Sequence, residues 1–144
     1  MKLDLPGLTE LIKLGEIDTV ICALPDIWGR LVGKRLTGHA FLNTALGAEG
    51  IHGSMYLFVV DMDMDPRPGY ELTSWGTGFP DFRFAPDLNT MRLVPWWPRT
   101  AIVLCDAVDE HSGELLNVAP RSILKNQIAK LADLGLTAAM ASEL

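Results

Sequence analysis

Apolar and polar positions recur with two periods along this chain, and the switches between them mark its elements. Leu8, Leu11, Ile12 and Leu14 fall on one helical stripe that Gly15 stops, so a short helix is predicted over residues 5–15. Residues 17–24 are a β-branched run, 25–29 carry turn chemistry with Pro25 and Gly29, and 30–37 return as the second strand of a hairpin. Residues 40–46 support a brief helix ended by Gly47. The glycine-containing segment Glu49–Ser54 reads as a loop feeding a strand over 55–60, which is apolar on both faces and is therefore expected to lie centrally.

From Asp61 to Asp87 the periodicity fades, and Pro66, Pro68, Gly69, Gly76, Gly78, Pro80 and Pro86 punctuate what reads as one long loop, the kind that is usually functional or meets a partner. Short strands are predicted at 90–94 and, strongly, at 100–106, with turn chemistry at 109–113. Pro120 opens a final helix whose expected buried stripe is Ile123, Leu124, Ile128, Leu131 and Leu134, closed by Gly135. The last run, Thr137 to Leu144, is apolar and strand-like, and is expected to begin a further domain whose remainder lies on other polypeptide. Strands dominate, helices are few, and the order predicts an α+β fold: a small mixed sheet with helices to one side.

Composition narrows the partners. With 144 residues, 49% hydrophobic and 21% charged, the chain buries roughly two thirds of its unfolded surface in one core. Its net charge of −6 argues against nucleic acid or an anionic membrane, both of which ask for a basic face. The opening residues include Asp4 and Pro6 where a signal peptide needs an apolar stretch, and no run approaches the length of a membrane span. Cys22 and Cys105 each sit inside an apolar run, which suits buried thiols in a reducing cytoplasm better than a disulfide.

Isolated chemical signals are sparse. Asp61, Asp63 and Asp65 alternate as hard-cation ligands would, but an EF-hand fails because Pro66 and Leu72 occupy its glycine and glutamate positions; a solvated strand end is the better reading. Trp75 to Asp81 has two glycines without the lysine or third glycine of a phosphate cradle. Trp96 and Trp97, between Pro95 and Pro98, serve either as a binding platform or, as favoured here, as residues buried against a neighbour. Among the histidines, His52 stands out because a loop imidazole on a rigid scaffold is a base near neutral pH, although most loop side chains meet only water. Glu143 is either a metal ligand or an ordinary exposed acid.

Several spacings taken together resemble the N-terminal β-grasp domain of the glutamine synthetase family, in particular its type I γ-glutamyl-amine ligases. Asp26, Gly29, Gly33 and Lys34 fit an Asp-x-x-Gly-x-x-x-Gly-Lys hairpin; Asp81, Pro86, Asp87, Thr90, Arg92, Pro95, Trp96 and Asp106 follow its later track. Pro120, Arg121 and Leu124 resemble the start of its linking helix, and Ser142-Glu143-Leu144 the opening of its catalytic domain. The resemblance spans residues 17–144 and divides the chain into an N-terminal helix (1–16), a β-grasp domain (17–116) and a linking helix with the first strand of a catalytic domain (117–144).

What the resemblance implies is a ligase that phosphorylates the γ-carboxylate of glutamate with ATP and Mg²⁺ or Mn²⁺ and lets an amine displace the phosphate. The β-grasp domain would wall the amine side of an active site shared between subunits of a homo-oligomeric cytoplasmic ring. Ammonia-using members place an aspartate in the loop that here reads Ile51 to Met55, with His52 as the candidate base and Ser54 as a substrate-binding residue. A histidine carries no permanent negative charge, so bare ammonium is held less well and an organic amine, a polyamine, ethanolamine or other alkylamine, is the expected substrate. Glu143 would be the first of the family's metal glutamates, its companion lying beyond the chain, so this chain alone is expected to be inactive. The alternatives are a true ammonia-using glutamine synthetase, a non-catalytic structural relative, or a free-standing β-grasp binding module.

Overall fold

The computed structural model describes residues 3–47 and 49–143. Helix α1 (Leu5–Lys13) forms where expected: the Asp4 carboxylate accepts from the Gly7 N–H at 2.8 Å, Pro6 sits in the first turn, and Gly15 leaves the helix at φ +71°. Leu8 and Ile12 are buried, whereas Leu14 falls off the stripe and is exposed.

The hairpin of β1 (Thr19–Pro25) and β2 (Leu31–Thr37) pairs in register from Thr19 with Thr37 to Pro25 with Leu31. Asp26, 1% exposed, staples its turn by accepting from the Trp28 and Arg30 N–H groups, both at 2.9 Å, and from Arg30 Nε at 2.7 Å. Burial would push this carboxyl up, yet the Arg30 and Trp28 hydrogen bonds outweigh it and hold it below the usual carboxylate range. Gly33 is required at the pairing itself. A Cβ there would overlap the Cys22 carbonyl oxygen and stand 2.9 Å from the Ala23 Cα.

Beyond the hairpin, α2 (Gly38–Ala40), capped by the Thr37 hydroxyl, runs on as a π-helical turn over Phe41–Ala45, which buries Phe41 and Ala45. Then come β3 (Ile51–Ser54), β4 (Asp81–Pro86), β5 (Arg92–Leu93) and β6 (Thr100–Asp109). Strand order is β2-β1-β6-β4-β3, with β5 also paired to β6. β6 is parallel to β1 over residues 100–104 and antiparallel to β4 over 105–109, so one ten-residue strand joins both halves of a mixed, nearly closed sheet. This is the expected α+β, β-grasp-like architecture. Phe82 and Phe84 from β4, 4.9 Å apart between ring centroids, meet Phe58, Val20, Cys22 and Val103 in the core beneath α1 and α2.

Four expectations are corrected. Residues 55–60 are not a central strand: the Ser54 hydroxyl accepts from the Tyr56 N–H and starts a 3₁₀ turn over Met55–Phe58, which buries Met55 and Phe58 without sheet pairing. The strand lies one step earlier, in the segment read as a loop. Gly53 belongs to β3 because a Cβ there would stand 2.7 Å from the Phe84 ring. Second, β4 occupies the end of the presumed long loop; Phe82 and Phe84 alternate with Asp81, Arg83 and Ala85, a period of two that Pro80 and Pro86 obscure.

Third, in α3 (Pro120–Asp133) only Ser122 is buried; Ile123, Leu124, Ile128 and Leu134 are exposed and Leu131 is half-buried, because polar contacts of Arg121 and Lys125 dock the first turns and leave most of the apolar stripe uncovered among the described residues. Gly135 still ends the helix at φ +74°. Fourth, residues 137–143 are exposed coil and not strand, since they pair with no strand among the described residues, and Leu144 lies outside the described residues. Among the described residues, no helix is long and apolar enough to cross a membrane.

Candidate functional site

Because side chains alternate across a strand, the burial of Ile51 and Gly53 in the core sends His52 and Ser54 to the opposite face of β3. Opposite them on β4, His52 pairs with Arg83 and Ser54 with Asp81. The two residues singled out from the sequence are thus brought together on one outward face, on a paired strand and not on a loop. Ser54 is already engaged: its hydroxyl donates to the Phe79 carbonyl at 3.1 Å as well as capping Tyr56. Only part of its hydrogen-bonding capacity is left for a ligand.

His52 lies between two cavities. One, of about 440 Å³, occupies the seam where the free edge of β2 faces β3, and its lining mixes Lys34, His52, Ser54 and Asp81 with the apolar Val32, Tyr56 and Met64. The other, of about 630 Å³, is bounded by Glu49, Gly50, Arg83 and the turn that follows β6. That turn is fixed by the Asp109 carboxylate, which accepts from Ser112 N–H at 2.7 Å and His111 N–H at 3.0 Å and is held below the usual carboxylate range by the Ser112 bond foremost. It places Glu110 Oε1 3.6 Å from His52 Nε2, an ion pair when the imidazole is protonated, both groups remaining partly exposed.

Sequence reasoning missed Arg83 and Glu110. The alternation of residues 81–85 was the available signal for the first; nothing in the sequence links residue 110 to residue 52.

Other candidates fall to structural roles. The Asp61 carboxylate accepts from the N–H groups of Asp63 (2.9 Å) and Asp65 (3.0 Å) and pairs with Arg67, and these bonds, led by that of Asp65, keep its pKa low. It is a turn cap. Arg30 and the Trp28 indole tie the same loop to the hairpin through the carbonyls of Met62 (2.7 Å) and Val60 (3.0 Å). Glu143 stands in exposed coil, and among the described residues no group of three or more His, Cys, Asp or Glu side chains is placed to hold a metal ion.

Trp75 is 80% exposed, with Phe79 edge-on at 5.0 Å, and forms no phosphate cradle. Trp96 and Trp97 are exposed instead of buried against a neighbour within this chain: they flank an apolar groove of about 770 Å³ floored by Ile21, Ile102 and Leu104, and the Arg35 guanidinium sits 4.9 Å over the Trp97 ring. Cys22 and Cys105 are both fully buried and neighbours in the core, as free thiols.

No family model matches the chain. It is 42% identical to Gamma-glutamylethanolamide synthetase GlnA4 of Streptomyces coelicolor over 93% of its own length and 29% of that protein's. It is 40% identical to Glutamate–isopropylamine ligase of a Pseudomonas species over 88% of its length and 27% of that protein's. It is also 33% identical to Type-1 glutamine synthetase 2 of Dictyostelium discoideum, over 83% of its length and 22% of that protein's. Among solved structures, "GmaS/ADP complex-Conformation 1" shares the fold with a TM-score of 0.64 at 20% identity, covering 93% of this chain and 26% of the other. The chain thus spans less than a third of the length of the curated relatives it matches.

Proposed function

Since the chain belongs to the glutamine synthetase family, matching the N-terminal region of its members, we propose that it forms the amine-side wall of an ATP-dependent glutamate–amine ligase acting through a γ-glutamyl phosphate. In that reading the substrate is an organic amine, and the chain divides into an N-terminal helix (1–16), a β-grasp domain (17–116) and the entry to a catalytic domain (117–144). The observation that carries it is the seam cavity, whose lining combines the polar groups of Lys34, His52, Ser54 and Asp81 with the apolar side chains of Val32, Tyr56 and Met64. An alkylammonium has the same mixed character, and two of the relatives are named for ethanolamide and isopropylamine products or substrates.

The chemistry asked of this wall is modest. An amine arrives protonated at neutral pH and is not a nucleophile until it loses that proton. Asp81 supplies negative charge for the ammonium, and the neutral His52 imidazole accepts the proton. The Glu110 carboxylate, 3.6 Å from Nε2, then stabilises the imidazolium. Apolar contacts with the alkyl group add affinity that ammonia lacks, on the order of 0.8 kcal/mol for each methylene removed from water.

Divalent metal and ATP belong to the complementary wall. In this reading the chain binds and deprotonates the amine, Glu143 is one ligand of a metal site that the complementary wall completes, and the chain alone is inactive. The groove bordered by Trp96 and Trp97 and the exposed stripe of α3 support assembly against another domain, consistent with a ring whose active sites lie at the seams.

The test is a steady-state comparison on the full-length enzyme. Ethanolamine, isopropylamine and a polyamine are expected to give specificity constants above that of ammonia. An ammonia value exceeding all three overturns the organic-amine reading.

A further inference from the structure

Arg83 is the one arginine of seven with neither an ion pair, a hydrogen bond nor an aromatic partner among the described residues. Arg30, Arg67, Arg99 and Arg121 pair with carboxylates, Arg92 donates to the Thr90 carbonyl, and Arg35 covers Trp97. Its Nε is nevertheless buried and unbonded. A buried guanidinium N–H without an acceptor is unfavourable, and a bound ion or ligand that brings an acceptor to this guanidinium offsets that cost.

The side chain is also built into place. A Cβ on Gly50, at φ +67°, would come within 2.6 Å of the Arg83 Cδ, so the stem lies directly on that glycine; a Cβ on Gly113, at φ +72°, would stand 3.7 Å from Nη2. Two left-handed glycines, one before β3 and one in the turn after β6, thus make the slot that holds the guanidinium against the 630 Å³ cavity. That volume is within the range of small-molecule sites.

The other charged and titratable groups of the cavity decide what fits. Glu49 and Glu110 present carboxylates; His52 and His111 present imidazoles. A phosphate dianion would meet two carboxylates, and a simple ammonium would meet the guanidinium. A ligand with one carboxylate and one ammonium answers both signs, because an arginine fork takes a carboxylate in a bidentate grip.

We propose that this cavity binds a small zwitterion of the amino-acid class, its carboxylate on Arg83 and its ammonium between Glu49 and Glu110. The proposal does not rest on the ligase reading, which places the amine in the other cavity, on the seam side of His52.

The experiment uses the ¹⁵N-labelled 144-residue chain and follows the arginine Nε–H resonances while glycine, acetate, methylamine and phosphate are added separately. The Arg83 signal is identified by its loss in R83K, which keeps the charge, and in R83Q. Glycine is expected to shift it saturably, at concentrations at least about tenfold below those needed for acetate or phosphate. E49Q combined with E110Q is expected to erase the advantage of glycine over acetate. In the variants, where that signal is gone, binding is read from the backbone amides of Gly50 and Gly113, which line the cavity; R83Q, checked for folding by its backbone spectrum, is expected to abolish their response to both glycine and acetate. A phosphate response as tight as that of glycine, no saturable shift with any probe, or glycine binding unchanged in R83K and R83Q overturns the proposal, and none of these results bears on amine specificity.

Discussion

Asp106, near the middle of β6, and Arg121, in the first turn of α3, are joined by a 2.9 Å hydrogen bond between Nε and Oδ1, and the same guanidinium reaches Asp87 at 2.8 Å. Lys125 donates to the other Asp106 oxygen. One helix is thereby anchored to the central strand by charge and not by its apolar stripe. Burial would push the Asp106 carboxyl up, but the hydrogen bonds from Lys125 and Arg121 prevail and hold it below the usual carboxylate range; Arg121 is raised in turn.

A carboxylate depressed in the folded state stabilises the fold above its unfolded pKa of about 3.9, and that contribution disappears as pH falls through the folded value. Stability is therefore expected to hold from pH 7 to about 4 and to decline below it. Asp106→Asn should lower stability at pH 7 by about 2 kcal/mol, because Arg121 and Lys125 lose their shared charge partner, and should flatten the acid decline. Urea unfolding at several pH values measures both effects; an Asn variant with the same slope below pH 4 would show that other carboxylates govern it.

Gly33 carries a steric prediction. Its Cβ would strike backbone, the Cys22 carbonyl and the Ala23 Cα, which cannot swing aside as a side chain does. Gly33→Ala should destabilise the chain by about 2 kcal/mol or more, whereas Gly76→Ala, which meets only the Ser74 hydroxyl at 3.6 Å, should stay within about 0.5 kcal/mol. Thermal melts of the pair make the comparison. Equal loss in both would mean that glycine's backbone freedom, and not the close strand approach, matters at residue 33.

How much of this was legible follows from where the pattern and the packing agree. The hairpin, β6, α1 and the turn at 109–113 were readable because each obeys its own period and its own punctuation. β3 was hidden by Gly53, a residue that reads as loop until the Phe82 and Phe84 rings are seen to need its space. β4 was hidden by the prolines on either side of it. The stripe on α3 was read correctly as apolar and wrongly as buried, since burial depends on a partner surface that sequence periodicity does not contain. At the site, His52 stands out from its glycine-flanked segment alone, while its role and the choice of Ser54 come from the resemblance. Arg83 and Glu110 reach His52 only through strand register and a turn closed in space.

The two thiols should be chemically silent. The hydrogen bond with Cys22 foremost, and burial with it, push the Cys105 thiol far above the ordinary range, and the reactive species is the thiolate. Ellman's reagent is expected to leave both cysteines unmodified on the native chain at pH 8 and to titrate both in denaturant. Prompt reaction of one equivalent without denaturant would contradict this placement of the pair.

His52 is where the functional reading is most exposed to test. If its neutral imidazole is what turns the seam away from ammonium, restoring a fixed negative charge should reverse the preference. In the full-length enzyme, His52→Asp is expected to raise the ammonia-to-ethanolamine ratio of specificity constants at least about tenfold, equivalent to about 1.4 kcal/mol. His52→Gln, which neither accepts the proton nor carries charge, should lower kcat for both amines. Glu110→Gln should lower kcat for the organic amine with less effect on KM, because its carboxylate acts on the imidazolium formed during reaction and not on the bound alkyl group. The Asp variant also separates two explanations of selectivity. Were the apolar wall of Val32, Tyr56 and Met64 alone responsible, the ratio would stay put when His52 changes and would move only when that wall is altered.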